Sequence, residues 1–252
     1  MLSSGIMQRA FLEAIVLGLA CGPLGVWILL LRRSYAAESL SHAMLPGLVL
    51  AALAGIPLVF GATAGVLVAA LGIALVGGDV GVAVVVSGLF GLGGILALGP
   101  QTPPRLSELL FGDLLGITTT DLIIASLLTV AVLATLALAY RPLALAGFHH
   151  QKGRADLLLL AILGVTTVAA VQGLGNLLLV ALILAPAAAA LNLATRLPQV
   201  LLISAALAVV AGIAGLVISY ELEIATGASI AVCAIATSFI GLLKPKVRHA
   251  II

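Results

Sequence analysis

Apolar residues follow one another in long runs along almost the whole chain, separated by short polar or glycine-rich stretches. A run of about 18 or more apolar residues is long enough for a helix to cross a lipid bilayer. The pattern predicts an all-α fold, a polytopic transmembrane helical bundle in which residues 1–252 form a single membrane domain. Nine segments are predicted, although some are short, and eight spans with one re-entrant piece are the alternative. The predicted segments are Ala14–Leu31, Leu40–Ala54, Pro57–Val76, Val80–Leu98, Asp121–Tyr140, Asp156–Val171, Asn176–Ala194, Val200–Ser219 and Ala225–Leu243.

The composition excludes a soluble domain with a solvated surface. Hydrophobic residues make up 63% of the chain and charged residues 8%, whereas soluble proteins carry roughly 25% charged residues. The net charge of +2 is too small to suggest a nucleic-acid partner, and the lipid bilayer is the expected environment. The sequence contains neither a Gly-x-x-x-x-Gly-Lys-Ser/Thr phosphate loop nor a His-Glu-x-x-His motif, and both absences weigh against an enzyme.

The positions of lysine and arginine predict how the chain is oriented. Loops on the cytoplasmic side of a membrane are enriched in these residues close to the span ends. Placing the C-terminus inside leaves only Arg9 and Arg105 outside, and with nine spans the N-terminus is also outside. The basic residues then assigned to the cytoplasm are Arg32, Arg33, Arg141, Lys152, Arg154, Arg196, Lys244, Lys246 and Arg248.

Two connections have sequences that leave alternatives open. The external connection Gly99–Thr120 contains an apolar piece too short to span, which predicts a short helix at or in the outer half of the membrane; a plain surface loop is the alternative. The internal connection Arg141–Arg154 carries His149 and His150. These two histidines are either solvated loop residues or a metal-sensing spot.

A proline lies inside the seventh predicted segment. Pro186 gives no N–H to the Leu182 carbonyl, so the helix should kink or end there. The small-residue stretch Ala187–Thr195 is then expected to form a short helix, closed by Arg196 and Pro198, that docks another protein at the cytoplasmic surface. An ordinary span that ends at an arginine is the alternative.

The most distinctive polar pair is Glu38 and His42. Residues four apart on a helix share one face, with Cβ atoms about 5–6 Å apart, so the two side chains could hold one divalent cation. Pro46 lies on nearly the same face and gives no N–H to the His42 carbonyl, which we expect to become a spare oxygen. In the alternative interpretation, Glu38 is an interfacial charge favoured by the helix dipole, and His42 is satisfied by a neighbouring helix.

A carboxylate and an imidazole suit zinc, manganese or iron(II). The remaining ligands would come from a symmetry-related chain, from water, or from Ser41 and the His42 carbonyl. The pair lies just beyond Arg32 and Arg33, which places it nearer the inner face than the midplane unless the loop from Ser34 enters the bilayer before the helix begins.

The stretch around this pair resembles a known family. It is similar to the Gly-Asp-Ala-x-Ser-His-Ala-x-Leu-Pro-Gly signature of the bacterial ATP-binding-cassette permeases that import zinc, manganese or iron, and further motifs follow in the same order over nearly the whole chain. The matching residues are Arg32-Arg33, Glu38, Ser41-His42-Ala43, Leu45-Pro46-Gly47, Leu110-Phe111-Gly112-Asp113, Asp121, Gln172, Gly175, Leu182-Ile183, Ala185-Pro186-Ala187-Ala188, Gly227, Ser229-Ile230 and Lys244-Pro245-Lys246.

The resemblance implies a homodimeric permease in the bacterial plasma membrane. Its partners would be a cytoplasmic ATP-binding-cassette ATPase, which hydrolyses ATP for it, and an extracellular metal-binding lipoprotein. No cofactor would be bound permanently, and Zn²⁺, Mn²⁺ or Fe²⁺ would be the transported ion. Glu38 and His42 map onto the family's metal-pathway residues. The connection to the ATPase would involve Pro186, Ala187, Asn192, Arg196 and Pro198.

Three departures from the family pattern affect these expectations. Glu38 replaces the usual aspartate, which keeps the charge but lengthens the side chain by one methylene. Ala189 stands where threonine is common. The stretch Gly147–Arg154 is shorter than the family's cytoplasmic segment, so an ATPase contact there has no support.

Two other functions compete with an ATP-driven importer. A gradient-driven secondary transporter or channel would need no ATPase, but such folds often show inverted repeats and paired broken helices, and this sequence has no convincing internal repeat. An intramembrane metalloenzyme would need a nucleophile or base beyond the Glu38 and His42 pair.

Overall fold

The computed structural model describes residues 5–76, 78–99, 116–149, 154–174 and 179–242, and within these ranges the chain is almost wholly α-helical. The predicted short helix or surface loop of the Gly99–Thr120 connection lies largely outside them. The helices are α1 (Gly5–Leu30), α2 (Ser34–Ala43), α3 (Leu45–Ala54), α4 (Leu58–Val76), α5 (Gly78–Ala97), α6 (Thr119–Leu138), α7 (Tyr140–His149), α8 (Arg154–Leu174), α9 (Leu179–Leu193), α10 (Leu197–Leu222) and α11 (Thr226–Leu242).

Length and composition mark most of these helices as membrane elements. Four stretches of the described chain are long and apolar enough to cross a bilayer, and one of them combines the end of α2 with α3. Shorter apolar helices make up most of the remainder. The four long stretches are Gly5–Leu30, Ala37–Ala54, Thr119–Leu138 and Leu197–Leu222, and the shorter ones are Leu58–Gly72, Gly81–Ala97, Leu158–Val168, Leu179–Leu193 and Thr226–Gly241.

Helix α1 is the centre of the bundle and packs closely against α10. A Cβ atom on Gly22 would lie 2.5 Å from the backbone oxygen of Ser204, so only glycine permits this approach. The buried Ser204 hydroxyl donates to the Gly22 carbonyl at 2.6 Å. Gly18 meets Val209 in the same way. Residue numbers therefore rise on one helix as they fall on the other, and the two helices run antiparallel.

Helices α1 and α6 run parallel, as contacts at three levels show. Near the start of both helices, Arg9 Nη1 donates to Thr119 Oγ1 at 3.4 Å. Further along, the Thr129 hydroxyl donates to the Val16 carbonyl at 3.4 Å. At the far end, Trp27 and Tyr140 make an edge-to-face contact with ring centroids 5.6 Å apart. The last turn of α1 therefore lies beside the start of α7.

A second group of helices packs around the junction of α2 and α3. Helices α3 and α4 form an antiparallel hairpin in which Gly47 faces the backbone of Gly61, and Gly65 faces Met44. Helix α5 runs parallel to the α2–α3 pair, because Phe90 contacts His42 and Gly93 contacts Leu45 three residues further along both chains.

These helix directions separate the charged residues between the two ends of the bundle. The end of α1, the start of α7 and the start of α10 lie together, which groups Arg32, Arg33, Arg141 and Arg196. The start of α1 and the end of α10 lie at the opposite end. Arg9, Asp121, Glu221 and Glu223 are found there.

The structure corrects several predicted boundaries. Helix α1 begins at Gly5, well before the predicted Ala14. The predicted segment Leu40–Ala54 is two helices separated at Met44, because Ser34–Ala43 forms a helix of its own. The stretch after Tyr140, predicted as a loop, is helical as far as His149; the His149 side chain and His150 lie outside what the structure describes.

The prediction for Pro186 was also wrong in part. Helix α9 continues through Pro186 to Leu193, so Ala187–Thr195 is not a separate helix. A proline inside a membrane helix is tolerated where neighbouring helices and hydroxyl side chains satisfy the freed backbone groups. Helix α11 packs beside this proline, where the Ser238 hydroxyl donates to the Ala185 carbonyl at 3.1 Å; the carbonyl freed by Pro186 is that of Leu182.

Candidate functional site

One face of helix α2 carries polar side chains that the other described residues leave wholly or partly uncovered. Glu38 is exposed, His42 is half-buried, and Tyr35, one turn before Glu38, is 48% exposed. Positions 35, 38 and 42 follow helical spacing and lie on one side of α2. Glu38 and His42 therefore share a helix face, as predicted, and we call these three residues the α2 polar face.

Helix α2 ends at Ala43, one residue after His42, and the next helix carries a proline in its first turn. Met44 closes α2, and its N–H donates to the His42 carbonyl. Pro46 lies in the first turn of α3, a position where a missing N–H leaves no helical hydrogen bond unmade. The prediction that the His42 carbonyl oxygen has no hydrogen-bond partner is therefore wrong, because it accepts a hydrogen bond from the Met44 N–H. Pro46 starts a new helix and does not extend the face of α2.

The His42 ring is held by contacts on the protomer side. Its Nδ1 atom is buried and has no hydrogen-bond partner. Phe90 of α5 contacts the ring edge-to-face, with centroids 5.1 Å apart and an interplanar angle of 62°. Because Nδ1 is enclosed, Nε2 is the ring nitrogen that can meet an ion outside the protomer.

Within the described residues, the protomer offers only two metal ligands at this place. No group of three His, Cys, Asp or Glu side chains that could hold a metal occurs there. Ser41 is fully buried, and its hydroxyl donates to the Ala37 carbonyl at 3.2 Å. Ser41 is therefore directed away from the α2 polar face, and the expectation that it could complete the site was wrong.

The five residues expected at an ATPase connection occupy two different environments. Pro186 and Ala187 are buried inside α9. Asn192 is half-buried near the end of α9, while Arg196 and Pro198 are exposed where α10 begins. Arg196 is the N-cap residue of α10. Only Asn192, Arg196 and Pro198 can therefore take part in a surface for a partner.

Two features of the structure were not found from the sequence. Glu13 is 1% exposed, and its Oε2 has no hydrogen-bond partner. The predicted first span started at Ala14, one residue later, so Glu13 lay just outside it. The Phe90 contact with His42 joins distant parts of the chain, and the sequence holds no local signal for it.

The chain matches known proteins over nearly its full length. A model of the ABC 3 transport family matches residues 3–244. The manganese transport system membrane protein MntC of Halalkalibacterium halodurans is 34% identical over 249 residues, which cover 93% of this chain and 85% of that protein. The chelated iron transport system membrane protein YfeD of Yersinia pestis is 33% identical over 240 residues, covering 90% and 81%.

A solved structure shows a similar fold. PsaBC from Streptococcus pneumoniae in complex with Fab contains a chain that matches this one with a TM-score of 0.87 and 28% sequence identity. The match covers 98% of this chain and 95% of that chain.

Proposed function

Because the chain belongs to the ABC 3 transport family, we propose that it is the membrane-spanning permease subunit of an ATP-driven importer of manganese, iron or zinc ions. It is an integral membrane transport protein and not an enzyme. Relatives named for manganese and for iron transport support a divalent transition metal as the substrate. Oxygen and nitrogen ligands suit all three metals.

The α2 polar face is the observation that carries this proposal. A charged side chain in the middle of a membrane costs roughly 2.5–3.5 kcal/mol on insertion scales, so such residues face a cavity or another polar group and not lipid. Glu38 is nevertheless exposed on the protomer. The face therefore borders a polar pathway, where Glu38 and His42 Nε2 coordinate the passing ion.

A second copy of the chain completes this site. Each protomer supplies one carboxylate and one imidazole, and two copies related by symmetry would bring four ligands to the ion. We propose a homodimer with the two α2 polar faces turned toward a central pathway. An ion held by few ligands from each side can be released when the protomers separate.

The helix directions support nine crossings, with α2 and α3 together forming one of them. The arginine-rich end is then cytoplasmic by the positive-inside rule, and the chain begins outside and ends inside. Helix α2 starts at Ser34, directly after Arg33, so no loop enters the membrane first. His42 lies about 12 Å along an α2–α3 pair roughly 30 Å long. Glu38, one turn earlier, lies about 6 Å along the same pair, so the two proposed ligands lie between its inner end and its middle.

The proposed orientation also indicates where the ATPase and the metal-binding lipoprotein would bind. The cytoplasmic turn between α9 and α10 exposes Arg196 and Pro198 beside Asn192, and we assign the ATPase contact to this turn. The metal-binding lipoprotein would deliver the ion at the opposite end. Alternate closing and opening of the pathway would then be driven by ATP hydrolysis on the ATPase subunits.

An uptake assay in cells that express the permease together with its partners tests the site. We expect Glu38→Gln and His42→Ala to lower uptake of Mn²⁺ at least about tenfold, because each removes a ligand to the ion. Glu38→Asp keeps the carboxylate and is the matched control, with most of the activity retained. Normal uptake by both ligand variants, at normal membrane levels, would overturn the assignment.

The gradient-driven alternative is not favoured, since the whole chain matches an ATP-binding-cassette family. Copurification separates the two mechanisms. We expect a stable complex with an ATPase subunit and uptake that stops when the catalytic glutamate of that subunit is replaced. Uptake that continues under these conditions would support gradient drive.

A further inference from the structure

Phe90 contacts His42, although neither the family motifs nor the spacing of the metal ligands gives Phe90 a role. Phe90 lies on α5, and its ring meets the His42 imidazole edge-to-face at a centroid distance of 5.1 Å. It is 40% exposed on the protomer, so it lies at the edge of the same uncovered region. Edge-to-face aromatic pairs have a preferred geometry that restricts rotation of both rings.

Close packing of α5 against the α2–α3 junction fixes the position of Phe90. A Cβ atom on Gly93 would lie 2.8 Å from Leu45 Cγ and 2.9 Å from the Pro46 nitrogen, so only glycine lets α5 come this near. Gly93 and Phe90 are three residues apart, which is less than one helical turn, or about 4.5 Å along the axis. The Phe90 ring is thus held relative to the junction directly beside His42.

The imidazole itself has no hydrogen bond that would orient it. A metal-binding histidine usually donates its second ring nitrogen to a carboxylate, a carbonyl or water, and this fixes the ring. Among the described residues, His42 Nδ1 is buried without such a partner, and the His42 ring contacts the ring of Phe90. With no orienting hydrogen bond to Nδ1 from the described residues, the aromatic contact with Phe90 is an interaction that can restrict the ring.

We propose that Phe90 is a positioning residue for the metal site, which holds the His42 ring with Nδ1 turned into the protomer and Nε2 turned toward the ion. This inference rests on the proposed function, because it concerns the same site. Phe90 does not coordinate the ion. It restricts the orientations of His42, so that the ligand is already in place when the ion arrives.

Metal binding to the purified permease–ATPase complex, without the lipoprotein, tests this inference. The probe is Mn²⁺, and free Mn²⁺ is measured by electron paramagnetic resonance during titration. We expect Phe90→Leu to raise the dissociation constant about three- to tenfold, the range for loss of an aromatic pair. Phe90→Tyr keeps the ring and should bind Mn²⁺ nearly as well as the unmodified protein.

Matched variants separate positioning from general damage to the fold. Phe60→Leu removes an exposed ring from α4 and should leave Mn²⁺ binding unchanged. Gly93→Ala should weaken binding in the same direction as Phe90→Leu, because the added methyl group forces α5 away from the junction. Thermal unfolding of each complex shows whether it is intact, and rescue by Phe90→Tyr excludes a purely structural effect of position 90.

The outcomes distinguish this inference from the proposed function. Unchanged Mn²⁺ affinity in Phe90→Leu, together with lost binding in His42→Ala, would overturn the role of Phe90 and leave the site standing. Equal weakening in Phe90→Leu and Phe90→Tyr would also overturn it, since the ring would then not be the cause. Unchanged binding in His42→Ala and Glu38→Gln would overturn the site itself.

Discussion

At the scale of single residues, Glu13 is a buried carboxylate for which the proposed transport step has no use. It is 1% exposed, and its Oε2 has no partner. Arg9, one turn earlier on α1, has a buried Nε without a partner and donates through Nη1 to Thr119 of α6. A carboxylate enclosed without a hydrogen-bond partner lowers stability unless it is neutralised.

We therefore predict that Glu13→Met raises the stability of the protein. Methionine has a similar length and adapts to irregular space, and it removes the unpartnered oxygen. The expected gain is about 1–2 kcal/mol, in the range for relieving an unsatisfied buried polar group, and it would be measured as a higher thermal unfolding temperature in detergent. Glu221→Met, at an exposed position, is the control. A drop in unfolding temperature for Glu13→Met alone would show that Arg9 and Glu13 are paired.

At the scale of helices, glycine contacts decide how closely the central elements approach. Gly22 of α1 lies against the backbone of Ser204 and Ala205 of α10, and a Cβ atom there would come within 2.5–2.7 Å of three backbone atoms. Small residues let membrane helices pack closely where no hydrophobic driving force acts between them. The α1–α10 contact is therefore sensitive to any side chain added at Gly22.

Gly22→Ala should destabilise the protein, because the methyl group meets backbone that cannot move aside. We expect a loss of about 1–3 kcal/mol, typical of overpacking in a close-packed core. Gly5→Ala is the matched control, since no atom lies within 4 Å of a Cβ atom at that position. Thermal unfolding of the two variants checks the difference; equal unfolding temperatures would mean that α1 and α10 do not pack as described.

The helix boundaries show which features of the fold could be predicted from the sequence and which could not. Long apolar runs located most of the membrane helices, because length and hydropathy alone define a span. The break at Met44 was missed, since Pro46 reads equally well as a kink within a helix and as the first turn of a new one. The early start of α1 was missed because Arg9 and Glu13 interrupt the apolar pattern, although packing against α6 and α10 buries Glu13.

In the candidate site, the features that depend on local spacing could be predicted from the sequence, and those that depend on tertiary contacts could not. The spacing of Glu38 and His42 placed both residues on one helix face without any knowledge of the fold. The orientation of His42 could not be predicted, because it depends on a tertiary contact with Phe90 of α5, and α5 approaches through the packing of Gly93 against Leu45 and Pro46. The inward direction of Ser41 also depends on how α2 is buried among its neighbours.

At the scale of the whole molecule, a single protomer supplies only part of the proposed metal site. It exposes Glu38 and half-exposes His42 on a helix that lies among membrane elements, and the described residues supply no third ligand of the usual metal-binding types. A second copy is the simplest source of the missing ligands. In the proposed dimer, the turn at Arg196 would connect each protomer to an ATPase subunit, so that one nucleotide cycle would act on both halves of the pathway.

The most direct test is a structure of the dimeric permease with its ATPase subunits, determined in the presence of Mn²⁺. We expect Mn²⁺ on the dimer axis, bound by Glu38 oxygens and His42 Nε2 atoms from both protomers. Phe90 should remain against each imidazole. A dimer in which the α2 polar faces contact lipid, or in which Mn²⁺ is bound by other residues, would contradict the account.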